Sequence, residues 1–347
     1  MDETDVDITF DNDGVCNHCR RYNERSKIVY KSPKDLISLV NYIKNEMKNH
    51  EYDCALGISG GLDSTYVAYI AKKLGLRMLL IHFDNGWNTS VSTDNVKKIV
   101  NKTGWNIINR TCDFEEIRDI QLAYLKAGVK NFEVCTDYGI FASVSEILAE
   151  NKIPYLLAGG NLHTEGVLPS SWGHDATDVV NLIDIHKKHG SVELKSYPLK
   201  MHDYKEIRLL NYINYKPKVA LNTLEREWNY QYYGWKHGEC LSTRFFQHYI
   251  LPVRWEIDKR KAHLSALILS GNISRNDALK ELKKDPYSYW NLDTDKKEFL
   301  KKLRINEDEL SALMNVPKRK HTEYKTDLNK RIRRIMRNIR RRLKENM

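Results

Sequence analysis

Residues 59–65, Ser59-Gly60-Gly61-Leu62-Asp63-Ser64-Thr65, follow an apolar run at 53–58 and carry the densest chemistry in the chain. A strand that passes through two glycines into a helix gathers backbone amides, hydroxyls and a positive helix end around one small volume, which suits a phosphate group. Gly60 and Gly61 let the backbone approach the ligand, while Ser59, Ser64 and Thr65 offer hydroxyls to phosphate oxygens or a metal. Asp63 among phosphates makes sense through a Mg2+ ion or by fixing the loop's amides, because an unscreened carboxylate repels an anion; Mg2+ is therefore implied. The spacing excludes two common nucleotide loops: there is no Gly-x-x-x-x-Gly-Lys-Ser/Thr and no Gly-x-Gly-x-x-Gly.

A second group is Cys16-x-x-Cys19, in a turn-rich segment too short to form a core. Two thiolates at this spacing fit adjacent corners of a zinc tetrahedron, with His18, or His237 and Cys240, as candidates for the remaining corners; a packed turn is the alternative. The six cysteines are unevenly spaced and make no disulfide scaffold, so reduced thiols or metal ligands are expected. No run of 18 apolar residues occurs, and the acidic first residues do not resemble a secretory signal, so a cytoplasmic protein is expected. The net charge of +10 invites a nucleic-acid reading. Residues 318–347 alone hold 13 Lys or Arg against 3 Asp or Glu, however, so the basic signal belongs to an appendage and the body is nearly neutral.

The elements that must position these residues can be read from periodicity. Strands are expected at 53–58, 77–83, 105–110 and 154–160, alternating with helices at 63–74, 91–102, 114–127 and 136–150. Ser32-Pro33 opens an earlier helix whose Leu36, Leu39, Val40, Ile43 and Met47 share a face. Such alternation predicts a parallel, doubly wound α/β sheet with its ligand past the carboxyl ends of the strands, where Ser59, Asp84 and Gly159 fall. After about residue 200 the chain becomes helical, and 228–255 is dense in aromatic rings mixed with Lys, His and Arg. A helix at 258–271 and a capped one from Ser274 follow. The division expected is a knuckle at 1–30, the α/β domain at 31–200, a helical, aromatic-rich substrate region at 201–316, and a basic amphipathic helix at 317–347 with Leu328, Ile332, Ile335, Ile339 and Leu343 on one side.

Ser-Gly-Gly-x-Asp-Ser after a strand resembles the pyrophosphate loop (PP-loop) of the N-type ATP pyrophosphatases, which cleave ATP to AMP and pyrophosphate while activating a carbonyl oxygen. A narrower resemblance covers nearly the whole chain. Phe10-Asp-Asn-Asp-Gly-Val-Cys-Asn-His-Cys-Arg, the loop, Thr136-Asp137, Gly159-Gly160-Asn161, Lys236-His237-x-Glu239 with Thr243-Arg244-Phe245, and Asp258-Lys-Arg-x-Ala-His-Leu-Ser look like the N-acetyl sugar amidotransferases of surface-polysaccharide synthesis. That resemblance implies ATP-dependent conversion of an acetamido group on a nucleotide-linked sugar to an acetamidino group. It also implies ammonia from a glutaminase and synthase pair related to those of histidine biosynthesis. The strand end at 82–87, with His82, Phe83, Asp84 and Trp87, would line the adenosine. Lys236 and Arg244 are the cations expected near the α-phosphate and Asp137 the group orienting or deprotonating ammonia, each with an ion-pair role as the alternative. Cys135, Tyr138 and Cys240 depart from the pattern, which bears on the identity of the sugar. The rival reading is a tRNA-modifying enzyme on the same loop, a thiolase using Cys112 and Cys135 or a lysidine-type ligase, which would give the basic tail a role.

Overall fold

A computed structural model describes residues 1–327 of the chain. Five parallel strands, β1 (Cys54–Gly57), β2 (Met78–Asp84), β3 (Ile107–Thr111), β4 (Tyr155–Leu157) and β5 (Lys205–Ile207), lie in the order β3-β2-β1-β4-β5. The register pairs Leu56 with Leu80 on one side and with Leu157 on the other. The order reverses between β1 and β4, so the loop after β1 opens at the point where the winding changes direction and a crevice must form. β5 extends the alternation past residue 200, beyond the expected stop. It has three residues, two of them exposed, and therefore carries no hydrophobic period to read.

Alternation along the strands assigns each face its helices. Cys54, Leu56, Met78, Leu80, Tyr155 and Leu157 pack with Leu36, Val40, Ile43, Val67, Ala68, Val96, Ile99 and Leu224. Ala55, Leu79, Ile81 and Leu156 face the other way, onto Val144, Ile147 and Leu148. Both faces are thus covered, as a parallel sheet requires, and each buried aliphatic side chain contributes about 1.5–3 kcal/mol.

The helices of this part are α1 (Asn17–Val29), α2 (Pro33–Glu46), α3 (Leu62–Lys73), α4 (Ser90–Thr103), α5 (Phe114–Ala127), α6 (Val134–Glu150), α7 (Leu162–Glu165) and α8 (Val179–His189). α2 starts as its sequence demands. Ser32 accepts from the Asp35 amide, Asp35 accepts from the Ser32 amide at 2.8 Å, and Pro33 occupies the first turn. α4 ends at Gly104 with φ +72°, a conformation that glycine adopts without strain.

The second half adds α9 (Pro217–Trp228), α10 (Leu241–Phe245), α11 (Leu251–Trp255), α12 (Arg260–Leu269), α13 (Arg275–Leu282), α14 (Leu292–Leu303) and α15 (Glu307–Asn315). Phe245, Phe246 and Phe299 join Phe132 and Tyr138 in one buried cluster, so much of the aromatic density after residue 228 serves packing. An irregular strap, residues 229–240, joins α9 to α10, and one π-helical turn, Phe246–Ile250, joins α10 to α11. Residues 317–327 are largely extended. Arg319 bridges to Val129, and His321–Glu323 form a 3-10 turn. The remainder of the expected amphipathic helix, 328–347, lies outside the described residues. No helix among the described residues is long and apolar enough to cross a membrane.

Candidate active site

The loop after β1 is held by its own hydroxyls. Thr65 Oγ1 and Ser64 Oγ donate to the Gly61 carbonyl at 2.7 and 3.2 Å, and the Gly61 amide donates to Ser59 Oγ at 3.2 Å. Gly60 has φ +75°, and a Cβ there would lie 2.3 Å from the Ser92 carbonyl oxygen. The turn therefore needs glycine for its conformation and for the close approach of α4. A Cβ at Gly159 would lie 2.9 Å from the Ser64 amide nitrogen, so the end of β4 closes against the loop from the other side.

The strap forms the roof. Tyr230 OH and Asn95 Nδ2 both donate to the Gly60 carbonyl at 3.2 Å, and the Leu62 amide donates to Tyr233 OH at 3.1 Å. Lys236 Nζ lies 2.7 Å from Asp63 Oδ2 and 2.9 Å from Glu165 Oε1. Burial opposes the charge on Lys236, yet the two carboxylates outweigh it and hold the ammonium above its ordinary pKa. Asp63 also accepts from Tyr215 OH, Asn161 Nδ2 and Thr164 Oγ1, and so anchors loop, strap and α7 together. Glu239, further along the strap, accepts from Ser59 Oγ at 3.3 Å through Oε1, while its Oε2 is buried without a partner. Burial pushes the Glu239 carboxyl up.

These groups line a cavity of about 450 Å³, with Ser59, Gly61, Asp63, Ser64, His82 and Gly159 at one end. The first turn of α6 also lines it. Asp137 lies there and accepts no hydrogen bond from any described residue; burial first, then Glu133, raises its pKa to about 7. Its neighbour Glu133 accepts from Gln247 Nε2 at 2.9 and 3.1 Å and from Lys259 Nζ at 3.1 Å. Gln247 is delivered by the π-helical turn, a feature that often marks functional sites. Three further histidines belong to this region: His237 lines the cavity, its ring packs on His263, and His248 packs on Trp290. Burial and the adjacent lysine push His237 well down and His263 to about 3, and burial takes His248 to about 3, so all three are neutral at pH 7.

Of the residues expected here, Ser59, Gly61, Asp63, Ser64, His82, Gly159, Asp137, Lys236, His237 and Cys240 line the cavity. Gly60 and Thr65 shape the loop from behind. His82 is held in the strand by the Ile58 carbonyl (2.8 Å) and by Asn88 (3.1 Å). Asp84 does not face the cavity; Oδ1 fixes the next turn by accepting from the Gly86 amide and Asn88. Trp87 is fully buried, bonded to Gln121 and packed against Phe114 and Phe299. Arg244 is also elsewhere. Its guanidinium grips Asp295 on α14 and lies over Trp290, so the expected cation at the α-phosphate is a packing ion pair instead. Glu133, Gln247 and Lys259 went unselected from sequence, because they belong to three elements that only folding brings together.

The zinc expectation is not met by these residues. Cys16 and Cys19 place their sulfurs 3.5 Å apart, but among the described residues no group of three His, Cys, Asp or Glu is arranged to hold a metal. His18 is bonded to Asp5 at 2.6 Å, and His237 and Cys240 belong to the cavity. All six cysteines are free thiols.

Comparison with known proteins gives two family matches. Residues 54–137 match the family described as queuosine biosynthesis protein QueC, and residues 239–338 match LPS biosynthesis protein WbpG-like, C-terminal domain. The chain thus carries a QueC-like PP-loop segment and a WbpG-like C-terminal segment. The QueC-like match takes in β1, the phosphate loop and the start of α6, both ends of the cavity. The WbpG-like match begins at Glu239 on the strap. No curated protein matches the chain. Among solved structures, the U34-tRNA thiolase NcsA from Methanococcus maripaludis with its 4Fe-4S cluster is similar at 15% identity, covering 85% of this chain and 83% of that chain with a TM-score of 0.34.

Proposed function

We propose that this PP-loop protein uses ATP to convert an acetamido group of a nucleotide-linked sugar into an acetamidino group. The observation that carries the reading is that one cavity is lined by both the Ser59–Ser64 phosphate loop and the Asp137 carboxyl, which accepts no hydrogen bond from a described residue. An acetamide is a poor electrophile, so its oxygen attacks the α-phosphorus of ATP, and pyrophosphate leaves toward the loop. Ammonia then adds to the activated carbon and loses a proton, and AMP departs with the former carbonyl oxygen. Asp137, with a pKa of about 7, suits removal of that proton near neutral pH. Lys236, paired with Asp63 and Glu165, is the cavity lysine beside the loop, and Lys259, paired with Glu133, is the one we assign to phosphate charge.

The WbpG-like match supports a sugar substrate of polysaccharide assembly. Ammonia would come from a separate glutaminase and synthase pair, and 201–316 would form the substrate region. The thiolase alternative needs reactive sulfur in the cavity, but neither cysteine advanced for it lines that space. Burial pushes the Cys135 thiol up to about 12 and Cys112 to about 11, and Cys135 is bonded to the Phe132 carbonyl.

The deciding experiment supplies ATP, Mg2+, ammonium and a diacetamido nucleotide sugar, then follows AMP and the mass change from replacing one oxygen by NH. AMP formed with tRNA and with no acetamido sugar would reverse the assignment.

A further inference from the structure

The loop aspartate is already engaged at both oxygens and paired with a lysine. Asp63 Oδ2 accepts from Lys236 Nζ at 2.7 Å, Asn161 Nδ2 at 3.2 Å and Thr164 Oγ1 at 3.4 Å, while Oδ1 is taken by Tyr215 OH. Its charge is answered by Lys236, and moving it onto a cation would strand that lysine and the tyrosine. Asp63 therefore acts as the knot of the loop.

Glu239 differs at every point. Its Oε1 takes one 3.3 Å bond from Ser59 Oγ and stands 2.8 Å from where a Cβ on Gly61 would be, so the carboxylate lies against the phosphate loop. Its Oε2 has no hydrogen-bond partner and no contact with solvent. Lys236 is the cation beside the loop, and it is engaged by Asp63 and Glu165. The position of Glu239 is fixed by the backbone: its carbonyl accepts from the amide and the hydroxyl of Thr89 at 3.1 and 3.0 Å. A carboxylate built into a phosphate seat repels phosphate unless a cation stands between them. A small hard cation that takes one protein carboxylate and several phosphate oxygens is the usual answer to that arrangement.

We propose that Glu239, and not the loop's own Asp63, supplies the protein carboxylate to a divalent cation that enters this cavity with the phosphates. The inference rests on the phosphate-loop reading above. It makes the strap part of the nucleotide site.

The test is calorimetric titration of the full chain with inorganic pyrophosphate and with a non-hydrolysable ATP analogue, in Mg2+ and in EDTA. Wild type is expected to bind at least about tenfold more tightly with Mg2+. Glu239→Gln removes the charge and the metal ligand together, so two opposite changes are expected: tighter binding in EDTA than wild type, and loss of most of the Mg2+ gain. With Mn2+ as probe, paramagnetic resonance should show one ion bound per chain in the pyrophosphate complex of wild type and none in the variant. A merely structural glutamate would weaken binding in both conditions. Glu239→Gln that keeps the full Mg2+ gain, or binds no better in EDTA, overturns the proposal. Should that variant not fold, judged by its thermal transition, Glu239→Ala is read by the same criteria. Wild type that binds neither ligand in either condition would instead remove the phosphate-site reading itself.

Discussion

At the scale of the residue, three of the five described carboxylates that line the cavity have three different environments. Asp63 is satisfied and charge-paired, Glu239 is half-satisfied against the loop, and Asp137 is bare. Asp137→Asn should lower kcat by about 10²–10⁴-fold while pyrophosphate binding persists, because base catalysis is lost and the loop is not. The wild-type rate should rise with pH through about 7, as the carboxyl ionises, and the variant's profile should lack that limb. Stability moves the opposite way. The folded-state pKa of Asp137 lies above its unfolded value, so the native protein is progressively destabilised as pH rises from about 4 to about 7. In denaturant melts Asp137→Asn should accordingly be more stable than wild type at pH 8, by up to about 4 kcal/mol, and equal to it near pH 4. At the loop, Gly60→Ala forces a Cβ against the Ser92 carbonyl at positive φ. It should cost about 1–3 kcal/mol in the same melts and abolish pyrophosphate binding.

At the scale of the element, the strap decides the site. It touches the loop through Tyr230, Tyr233, Lys236 and Glu239, and it is fastened at its far end by α10, where Arg244 clasps Asp295. Asp295 is 4% exposed, so Arg244→Ala leaves an unpaired buried carboxylate and should destabilise the protein by about 3–5 kcal/mol in urea melts. Arg244→Met with Asp295→Leu removes both charges, and should recover most of that loss and retain AMP formation. A double variant that folds but forms no AMP would return Arg244 to the chemistry. Across the cavity, α6 presents Glu133 and Asp137 four residues apart on one face, and the π-helical turn carries Gln247 to Glu133. Cys135 faces away from the cavity between them, so Cys112→Ser with Cys135→Ser should leave AMP formation unchanged, whereas a thiolase would lose its activity.

At the scale of the whole molecule, a sheet that reverses its winding between β1 and β4 opens one crevice, and the second half of the chain roofs it. Because the cavity is built within residues 1–327, a chain ended at Asp327 should keep its thermal transition and its AMP formation. The removed segment carries most of the net charge of +10, so any salt-sensitive binding to polyanions by the full chain should fall with it, measured as the slope of affinity against salt. Salt-dependent tRNA binding that disappears with the tail, together with tRNA-dependent AMP formation, would favour the tRNA-modifying alternative.

By itself, the sequence determined whatever depends on near neighbours. Ser-Gly-Gly-x-Asp-Ser behind an apolar run could only be a strand, a tight turn and a helix start, and the alternation of short apolar runs with amphipathic stretches meant a parallel sheet with both faces covered. The helices at 62–73, 90–103 and 114–127 fall within a residue or so of their expected places, because caps and glycine stops are local signals. Tertiary structure alone decided which charges meet. Lys236 pairs with Asp63 across 173 residues, and Arg244 turns away to Asp295 although it lies only eight residues from Lys236. Trp87 went to the core because the far side of its turn faces α14. Glu133, Gln247 and Lys259 converge from separate elements, and among the described residues no third ligand joins the knuckle cysteines. Partner choice among charged side chains depends on distance and burial in the assembled chain, and neither quantity is carried by spacing along a sequence.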